Sequence, residues 1–232
     1  MFKFRAFQAI CDTVSCEKFR DGHRQVLIDY GISNITTNTD DWMCNPYMYC
    51  IIAEIEETRE IVGGIRIQIS HKDVPLPVEK AVGNMDRKVI DWIRMFRENG
   101  GVGELCALWN AKKVSGQGIS LLLIRAGISS VNQLHIKSLV TICADYTMWM
   151  VKRVGFMVEK SLGDDGDFHY PNENYIARVL HRIDVNTLEH ADAYDRKCIF
   201  NLRENPVQIK MERGKNSDIE VNYNLIFDKH GN

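Results

Sequence analysis

The sequence lacks an excess of basic side chains, since 29 lysines and arginines stand against 31 acidic residues in a chain of 232 residues. Proteins that bind the phosphate backbone of nucleic acids normally carry such an excess, so the composition argues against that class of partner. The sequence also lacks a window that approaches the roughly 20 apolar residues of a membrane-spanning helix. The second absence predicts a soluble, cytoplasmic protein without a transmembrane segment, and an apolar content of 45% predicts a globular chain with a substantial core.

Cysteine pairs are missing as well. The seven cysteines occur singly, with neither the close spacing of a zinc site nor a secretory signal that would favour disulfides. We therefore expect reduced thiols and no bound metal. Cys106 has the surroundings of a candidate nucleophile, but a small core residue on a strand is the favoured interpretation.

The order of the predicted elements is typical of an α+β fold. The predicted helices cover residues 16–30, 86–99, 119–134, 146–154 and 187–203, and the predicted strands cover residues 48–56, 60–70, 102–109, 136–144, 156–162, 175–183, 207–212 and 219–227. Strands and helices alternate in the middle of the chain, which favours parallel pairing there. We divide the chain into a main domain, residues 1–184, with an insertion at about 71–101, and a C-terminal helix and hairpin appendage, residues 185–232.

A glycine-containing loop joins a predicted strand to a predicted helix between Ser115 and Ser120. Gly116 and Gly118 let the backbone approach a ligand closely, and the free amides and dipole of a helix N-terminus attract anions. The pattern has neither the dinucleotide-binding spacing nor the ending of a P-loop. It predicts an anion-binding loop, although an ordinary tight turn explains it equally well.

The same segment resembles motif A of the GNAT superfamily of N-acyltransferases, Arg/Gln-x-x-Gly-x-Gly/Ala. Residues 150–156, Met-Val-Lys-Arg-Val-Gly-Phe, resemble a second signature of that superfamily, a helix that ends in a Gly-Phe turn. The resemblance covers roughly residues 15–184 and implies a three-layer fold, a mixed central sheet flanked by helices. Three residues depart from the pattern: Ser115 replaces Arg or Gln, Ser120 replaces Gly or Ala, and Val151 replaces a frequent catalytic Tyr.

The resemblance implies a site for acyl-CoA or acetyl-CoA as co-substrate. It implies that the pyrophosphate binds at Ser115, Gly116, Gln117, Gly118, Ile119 and Ser120, and that an amide near Trp109, Asn110 and Ala111 binds the thioester oxygen. Glu104 is the candidate general base, although a surface carboxylate or an ion pair with Arg66 explains it equally well. Tyr146 is the candidate acid that protonates the departing thiolate, and the alternative is that it simply packs.

A narrower resemblance, to the acyl-homoserine lactone synthases and N-acyl amino acid synthases, concerns the acceptor. That branch has an Arg in its first helix, acidic residues in the next loop, an Arg on its third strand and a Glu starting the fourth. Arg24, Asp40 or Asp41, Arg66 and Glu104 follow this order. Two arginines that converge can hold a carboxylate, so an amino acid is the expected acceptor; ion pairs with the acidic residues are the alternative. Cys106-Ala107 stands where the branch has Ser-Arg, which argues against lactone synthesis.

Two functions follow from these observations. The first is transfer of an acyl group from acyl-CoA, or from an acyl carrier protein, to a primary amine of a small molecule. The second is a non-catalytic acyl-CoA-binding or regulatory domain of the same fold, because a fold does not fix a function.

Overall fold

A computed structural model describes residues 1–31, 40–214 and 217–227. Its strands are β1 (Phe2–Gln8), β2 (Met48–Ile55), β3 (Glu60–Ile69), β4 (Val102–Asn110), β5 (Ser138–Ala144), β6 (Met157–Val158), β7 (Asp167–His169), β8 (Ile176–Arg182), β9 (Val207–Arg213) and β10 (Asp218–Asn224). Its α-helices are α1 (Thr13–Asp29), α2 (Pro77–Val82), α3 (Lys88–Glu98), α4 (Ile119–Ser130), α5 (Asp145–Arg153) and α6 (Ala193–Glu204). Within the described ranges, no helix is long and apolar enough to cross a membrane.

The strands form one mixed sheet in the order β6, β8, β5, β4, β3, β2, β1, β10, β9, and β7 joins it at β8. Side chains of successive strand residues point to opposite faces, so each face builds its own core. Helices α1, α2 and α3 cover one face, whereas α4 and α5 cover the other and α6 packs on α4. The three layers confirm the predicted α+β fold with a mixed central sheet.

Most predicted elements correspond to observed ones. The hairpin of β2 and β3 and the parallel pairing of β4 with β5 are both confirmed. Strand β1 was not predicted; its charged Lys3 and Arg5 alternate with buried Phe4 and Ala6, and it forms between β2 and β10. Helix α2 was also missed, although its start is capped by Glu79, whose Oε2 accepts a hydrogen bond from the Leu76 amide at 2.7 Å.

The C-terminal helix and hairpin continue the central sheet. Strand β10 pairs with β1 in parallel and with β9 antiparallel. A buried ionic cluster joins the same region to α4: Arg125 Nε donates to Asp195 Oδ1 of α6 at 2.6 Å, and its Nη1 lies 3.7 Å from Glu212 Oε2 of β9. Residues 215, 216 and 228–232 of this segment lie outside the described residues, and the division of the chain at residue 184 stays a prediction.

Helix α1 packs closely against the sheet because a glycine lies on each side of the contact, Gly22 on α1 and Gly64 on β3. A Cβ on Gly22 of α1 would lie 2.1 Å from the ring of Trp109, and a Cβ on Gly64 of β3 would lie 2.3 Å from the ring of Phe19. Both distances are far below van der Waals contact. The two glycines therefore set the depth at which α1 packs, and with it the position of the side chains that α1 turns toward β4.

Candidate active site

Strands β4 and β5 pair over a short length and then separate. Their parallel pairing extends from Val102 to Glu104 of β4. Just beyond it, Thr141 Oγ1 donates to the carbonyl of Leu105 at 2.8 Å and so satisfies a backbone group that the sheet leaves unpaired. Ala107 has a φ of +50°, and the pairing of β4 with β3 shifts at this point, which identifies a β-bulge. The bulge and the separation open a cleft on the β5 side of β4.

A cavity of about 200 Å³, the inner cavity, occupies this cleft. It is lined by residues of β4, β5, α1 and α5, among them Glu104, Cys106, Leu108, Thr141, Cys143, His23, Leu27, Tyr146 and Val151. Most of the lining is apolar, so the cavity suits a hydrocarbon chain.

Glu104 is the carboxylate of the inner cavity. It is fully buried, its Oε2 accepts a hydrogen bond from the Val78 amide at 2.8 Å, and its Oε1 has no hydrogen-bond partner among the described residues. Burial raises the pKa of Glu104 to about 8, Glu79 adds to the rise, and the Val78 amide and Arg66 oppose it. Such a group is mostly neutral at pH 7 and becomes a base as the pH approaches 8.

Arg66 is a buried cation that affects the pKa values of Glu104, His23 and Cys106. Its side chain is buried opposite Cys106 of β4, and its guanidinium lies 4.2 Å from the centre of the Trp42 ring. Burial and the charge of Arg66 lower the pKa of His23 to about 3, so this imidazole stays neutral. Burial raises the pKa of Cys106 to about 12 against the opposing effect of Arg66, which favours a protonated core thiol over a nucleophile.

The predicted anion-binding loop lines a second cavity of about 680 Å³, the outer cavity, together with the end of β4, helix α5 and the end of β9. Gly116 and Gly118 have φ values of +80° and +84°, a backbone conformation that favours glycine over other residues. The first hydrogen bond of α4 with helical spacing runs from the Leu122 amide to the Gly118 carbonyl. The amides of Ile119 and Ser120 lie before this bond, so they have no carbonyl partner within α4 and are available to an anion.

The predicted thioester-binding amides at Trp109, Asn110 and Ala111 behave differently from one another. The Ala111 amide donates to the carbonyl of Val62 at 2.7 Å, and this bond commits it to β3. The Trp109 ring packs against Phe19 of α1 on the opposite face of the sheet. Because amides alternate along a strand, the Asn110 amide points away from β3 toward the open side. Asn110 is the best placed of the three, and it also lines the outer cavity.

A third cavity, which we call the polar pocket, has a volume of about 270 Å³ and contains two of the residues expected at the acceptor, Asp41 and Arg66. Its lining includes Asp41, Arg66, Gln68 and Lys80. Pro77 lines both this pocket and the inner cavity, so the two adjoin beside Glu104.

Arg24 does not join this group, because it lies on the exposed face of α1, away from the buried Arg66. The expected convergence of these two arginines is therefore not observed. Asp40 instead forms an ion pair with Arg20 at 3.2 Å. The polar residue of α1 that lines the inner cavity is His23, one position before Arg24. Its spacing of four residues from the buried Phe19 and from Leu27 was the available signal.

Tyr146 lies in the first turn of α5 and lines the inner cavity, with 67% of its surface exposed. It therefore stands at the mouth of the cavity, where it can reach a group that enters. Tyr170 and Tyr175 line the same cavity and were not assigned from the sequence. Their loop follows β7, and only long-range packing brings it to this position.

A scan of the sequence against protein-family models gives no match, and a search of curated proteins gives none either. Solved structures do match. FeeM, an N-acyl amino acid synthase from uncultured soil microbes, is 15% identical with a TM-score of 0.64, covering 85% of this chain and 99% of its own. BjaI, a CoA-dependent acyl-homoserine lactone synthase, is 13% identical with a TM-score of 0.55, covering 88% and 89%. An acyl-CoA N-acyltransferase from Pseudomonas aeruginosa is 11% identical with a TM-score of 0.54, covering 78% and 99%.

These identities are low, so the likeness is one of fold. It extends over most of this chain and nearly all of each neighbour. The chain therefore has a GNAT-like fold, which it shares with these N-acyltransferases.

Proposed function

We propose that the protein is an N-acyltransferase that moves an acyl group from acyl-CoA to the primary amine of an amino acid. The observation that carries this proposal is the arrangement of three cavities along the neighbouring strands β3 and β4. An anion-binding loop lines the outer cavity, apolar side chains line the inner cavity, and charged side chains line the polar pocket. This order matches the phosphates, the acyl chain and the charged acceptor of such a reaction.

The donor would enter with its pyrophosphate on the amides of Ile119 and Ser120. The Gln117 amide has no part in this, because it donates to the Val114 carbonyl at 3.2 Å. The pantetheine arm would then run along the open side of β4, with the thioester oxygen near the Asn110 amide. The acyl chain would fill the inner cavity. The apolar lining of that cavity supports a chain longer than acetyl.

In the reaction, the amine nitrogen attacks the thioester carbonyl, a C–N bond forms and the C–S bond breaks. The proton that the ammonium loses goes to ionised Glu104, directly or through water. A second proton leaves the nitrogen after the attack, and it replaces the proton that Tyr146, at the mouth of the cavity, gives to the departing CoA thiolate. The products are the amide and the neutral CoA thiol. Positioning of the two substrates contributes several kcal/mol beyond this proton transfer.

The acceptor proposal depends on the polar pocket. Arg66 would bind the carboxylate of the amino acid, Asp41 would face its ammonium group before deprotonation, and the contact at Pro77 would bring the nitrogen to Glu104. The likeness to FeeM, an N-acyl amino acid synthase, supports this class of acceptor. Arg24 has no part in this arrangement because it is exposed.

Thiol release from acyl-CoA of several chain lengths tests the proposal, with free amino acids and with their carboxyl-blocked amides as acceptors. We expect free amino acids to react at least about tenfold faster, because a hydrogen bond to a charged group contributes about 1.5–3 kcal/mol. Arg66→Lys, which loses the planar fork, should reduce this ratio, and Arg24→Ala should leave it unchanged. Equal rates with both acceptors would exclude the carboxylate site. CoA binding without turnover with any amine would favour a non-catalytic acyl-CoA-binding domain.

A further inference from the structure

Strand β9 is the last strand at one end of the described sheet, and it carries apolar side chains that the core does not use. Val207, Ile209 and Met211 are 58%, 63% and 60% exposed. Because successive side chains of a strand point to opposite faces, these three lie in one line on the same face, and we call them the apolar row. The other face of β9 is covered, since Glu212 is only 1% exposed.

The hydrogen bonds between β9 and β10 determine which main-chain groups of β9 point away from the sheet. The Leu225 amide donates to the Pro206 carbonyl at 2.9 Å, so these two residues form a hydrogen-bonded pair at the end of the ladder. Hydrogen-bonded pairs recur at every second residue of an antiparallel ladder. The even-numbered residues of β9 therefore bond β10. The N–H and C=O groups of Val207, Ile209 and Met211 point outward, along the same edge that carries the apolar row.

This edge has few of the features that prevent a strand from pairing with another chain. Charged side chains and prolines usually serve that purpose. Lys210 points to the covered face, where its Nζ lies 3.2 Å from Glu212 Oε1. Pro206 comes before the strand, and the N–H that it lacks would have pointed toward β10 rather than outward. From Val207 to Met211 the edge is therefore both uncharged and rich in free main-chain groups.

A second copy of the same strand fits this edge with two-fold symmetry. Two antiparallel β9 strands with the axis at Ile209 would place Ile209 opposite Ile209 of the partner subunit, and Val207 opposite the partner's Met211. Each of these pairs can exchange two main-chain hydrogen bonds, because these residues carry the outward groups. The whole apolar row of each copy would then lie against the apolar row of the other.

The polar residues favour the same register. With the axis at Ile209, Gln208 lies opposite the partner's Lys210, so no two like charges are directly opposed. With the axis at Lys210, the two lysines would oppose each other, which destabilises a cross-strand pair. With the axis at Met211, Val207 would extend past the end of the partner's apolar row. The register centred on Ile209 is thus the one that pairs every apolar side chain without a repulsive contact.

We propose that the protein forms a two-fold symmetric dimer in which β9 pairs antiparallel with β9 of a second copy, centred on Ile209, so that two sheets become one. One strand from each copy provides less than the roughly 1,200–2,000 Å² of a standard interface, so the dimer should be reversible, with a dissociation constant on the order of 1–100 μM. Arg213, at the end of the same strand, lines the outer cavity, so pairing would also hold this wall in place. The inference does not depend on the proposed acyl transfer.

Sedimentation of the protein at concentrations from about 1 to 500 μM tests the dimer without any ligand. We expect the wild-type mass to rise from that of a monomer toward that of a dimer. Ile209→Lys places two ammonium groups opposite each other at the axis and should raise the dissociation constant at least about tenfold. Ile28→Lys, at a residue of α1 that is 59% exposed, is the matched control and should dimerise as wild type does. Urea unfolding at the lowest concentration should give similar stabilities, because both isoleucines are exposed.

Cysteine cross-linking tests the register, in a background where the exposed Cys44 is replaced by Ser. Ile209→Cys should form a disulfide between subunits on mild oxidation, because the Cα atoms of a hydrogen-bonded pair are about 5.5 Å apart, within the range of a disulfide. Met211→Cys should not, because Val207 of the partner subunit lies opposite it.

Three results would overturn the inference. The first is a wild-type protein that stays monomeric at the highest concentration, which would leave the edge of β9 to a strand of another protein. The second is a dimer that Ile209→Lys weakens no more than Ile28→Lys does. The third is cross-linking of Met211→Cys but not of Ile209→Cys.

Discussion

Replacing Glu104 by Gln should make the stability of the protein less dependent on pH. Gln has nearly the same shape as Glu, and its carboxamide oxygen can keep the hydrogen bond from the Val78 amide. The substitution removes only the titration of a fully buried group. Any pH-dependent difference between the two proteins therefore belongs to this carboxyl.

The sign and the magnitude follow from the raised pKa. The ordinary value is 4.5 and the folded value is about 8, so the stability that comes from the neutral carboxyl is complete below pH 4.5 and is lost as the pH rises through 8. An interval of about 3.5 pH units, at about 1.36 kcal/mol per unit, corresponds to about 5 kcal/mol. We compare the free energy of unfolding of the Gln variant with that of wild type at each pH. The variant's advantage over wild type should be larger at pH 9 than at pH 4.5, by up to about 5 kcal/mol.

Urea unfolding of both proteins at pH 4.5 and pH 9 measures this difference. Glu98→Gln, at an exposed carboxylate at the end of α3, is the matched control and should show the same free energy difference from wild type at both values. If Glu104→Gln also showed the same difference at both, the carboxyl would already be ionised at low pH. The reasoning from burial would then be wrong.

The same variant tests the catalytic role. A general base typically contributes about 100- to 10,000-fold to the rate, so Glu104→Gln should lower kcat by that factor. The wild-type rate should rise with pH up to about 8, as the carboxyl ionises, and the variant should lose this rise. An unchanged pH profile in the variant would assign the base to another group.

Three further substitutions test the loop, the ionic cluster and the packing of α1. Gly118→Asp adds a negative charge and a Cβ at a φ of +84°, and it should weaken CoA binding at least about tenfold by calorimetry. Gly31→Asp is the control, because Gly31 also has a positive φ, +70°, and no described atom lies within 4 Å of its new Cβ. Equal CoA affinities of the two variants would exclude the loop as the phosphate site. Asp195→Ala leaves the buried Arg125 with only the more distant Glu212 as a carboxylate partner, and it should lower the free energy of unfolding by about 3–5 kcal/mol. A loss below about 1 kcal/mol would contradict the buried cluster. Gly22→Ala drives a methyl group into the Trp109 ring and should cost about 1–3 kcal/mol in urea unfolding, and a neutral result would mean that α1 can shift.

Local sequence patterns predicted the elements whose signals are short-range. The hairpin of β2 and β3 has two β-rich runs around a charged turn, and the loop from Ser115 to Ser120 has its glycines at the two residues with positive φ. Both follow from backbone preferences of neighbouring residues. Local chemistry was sufficient at these positions.

Features that depend on distant residues were not predicted. The choice between His23 and Arg24 depends on which side of α1 faces the sheet, and one residue along a helix turns the side chain by about 100°. Strand β1 forms only because β2 and β10 flank it. Arg213 reaches the outer cavity because the hairpin joins the sheet, which no short pattern near Arg213 indicates.

The parallel pairing of β1 with β10 has a consequence for the order of folding. Phe2 lies beside Val221, so this contact closes a very long loop and must come late on entropic grounds. Until it forms, β9 and Arg213 have no fixed place, and the outer cavity lacks a wall. On the ribosome, the strands around the inner cavity can pair before β9 and β10 emerge, but the outer cavity gains its Arg213 wall only after residue 224 has left the exit tunnel. Chains truncated before β9 should therefore bind any ligand of the outer cavity more weakly than the full chain.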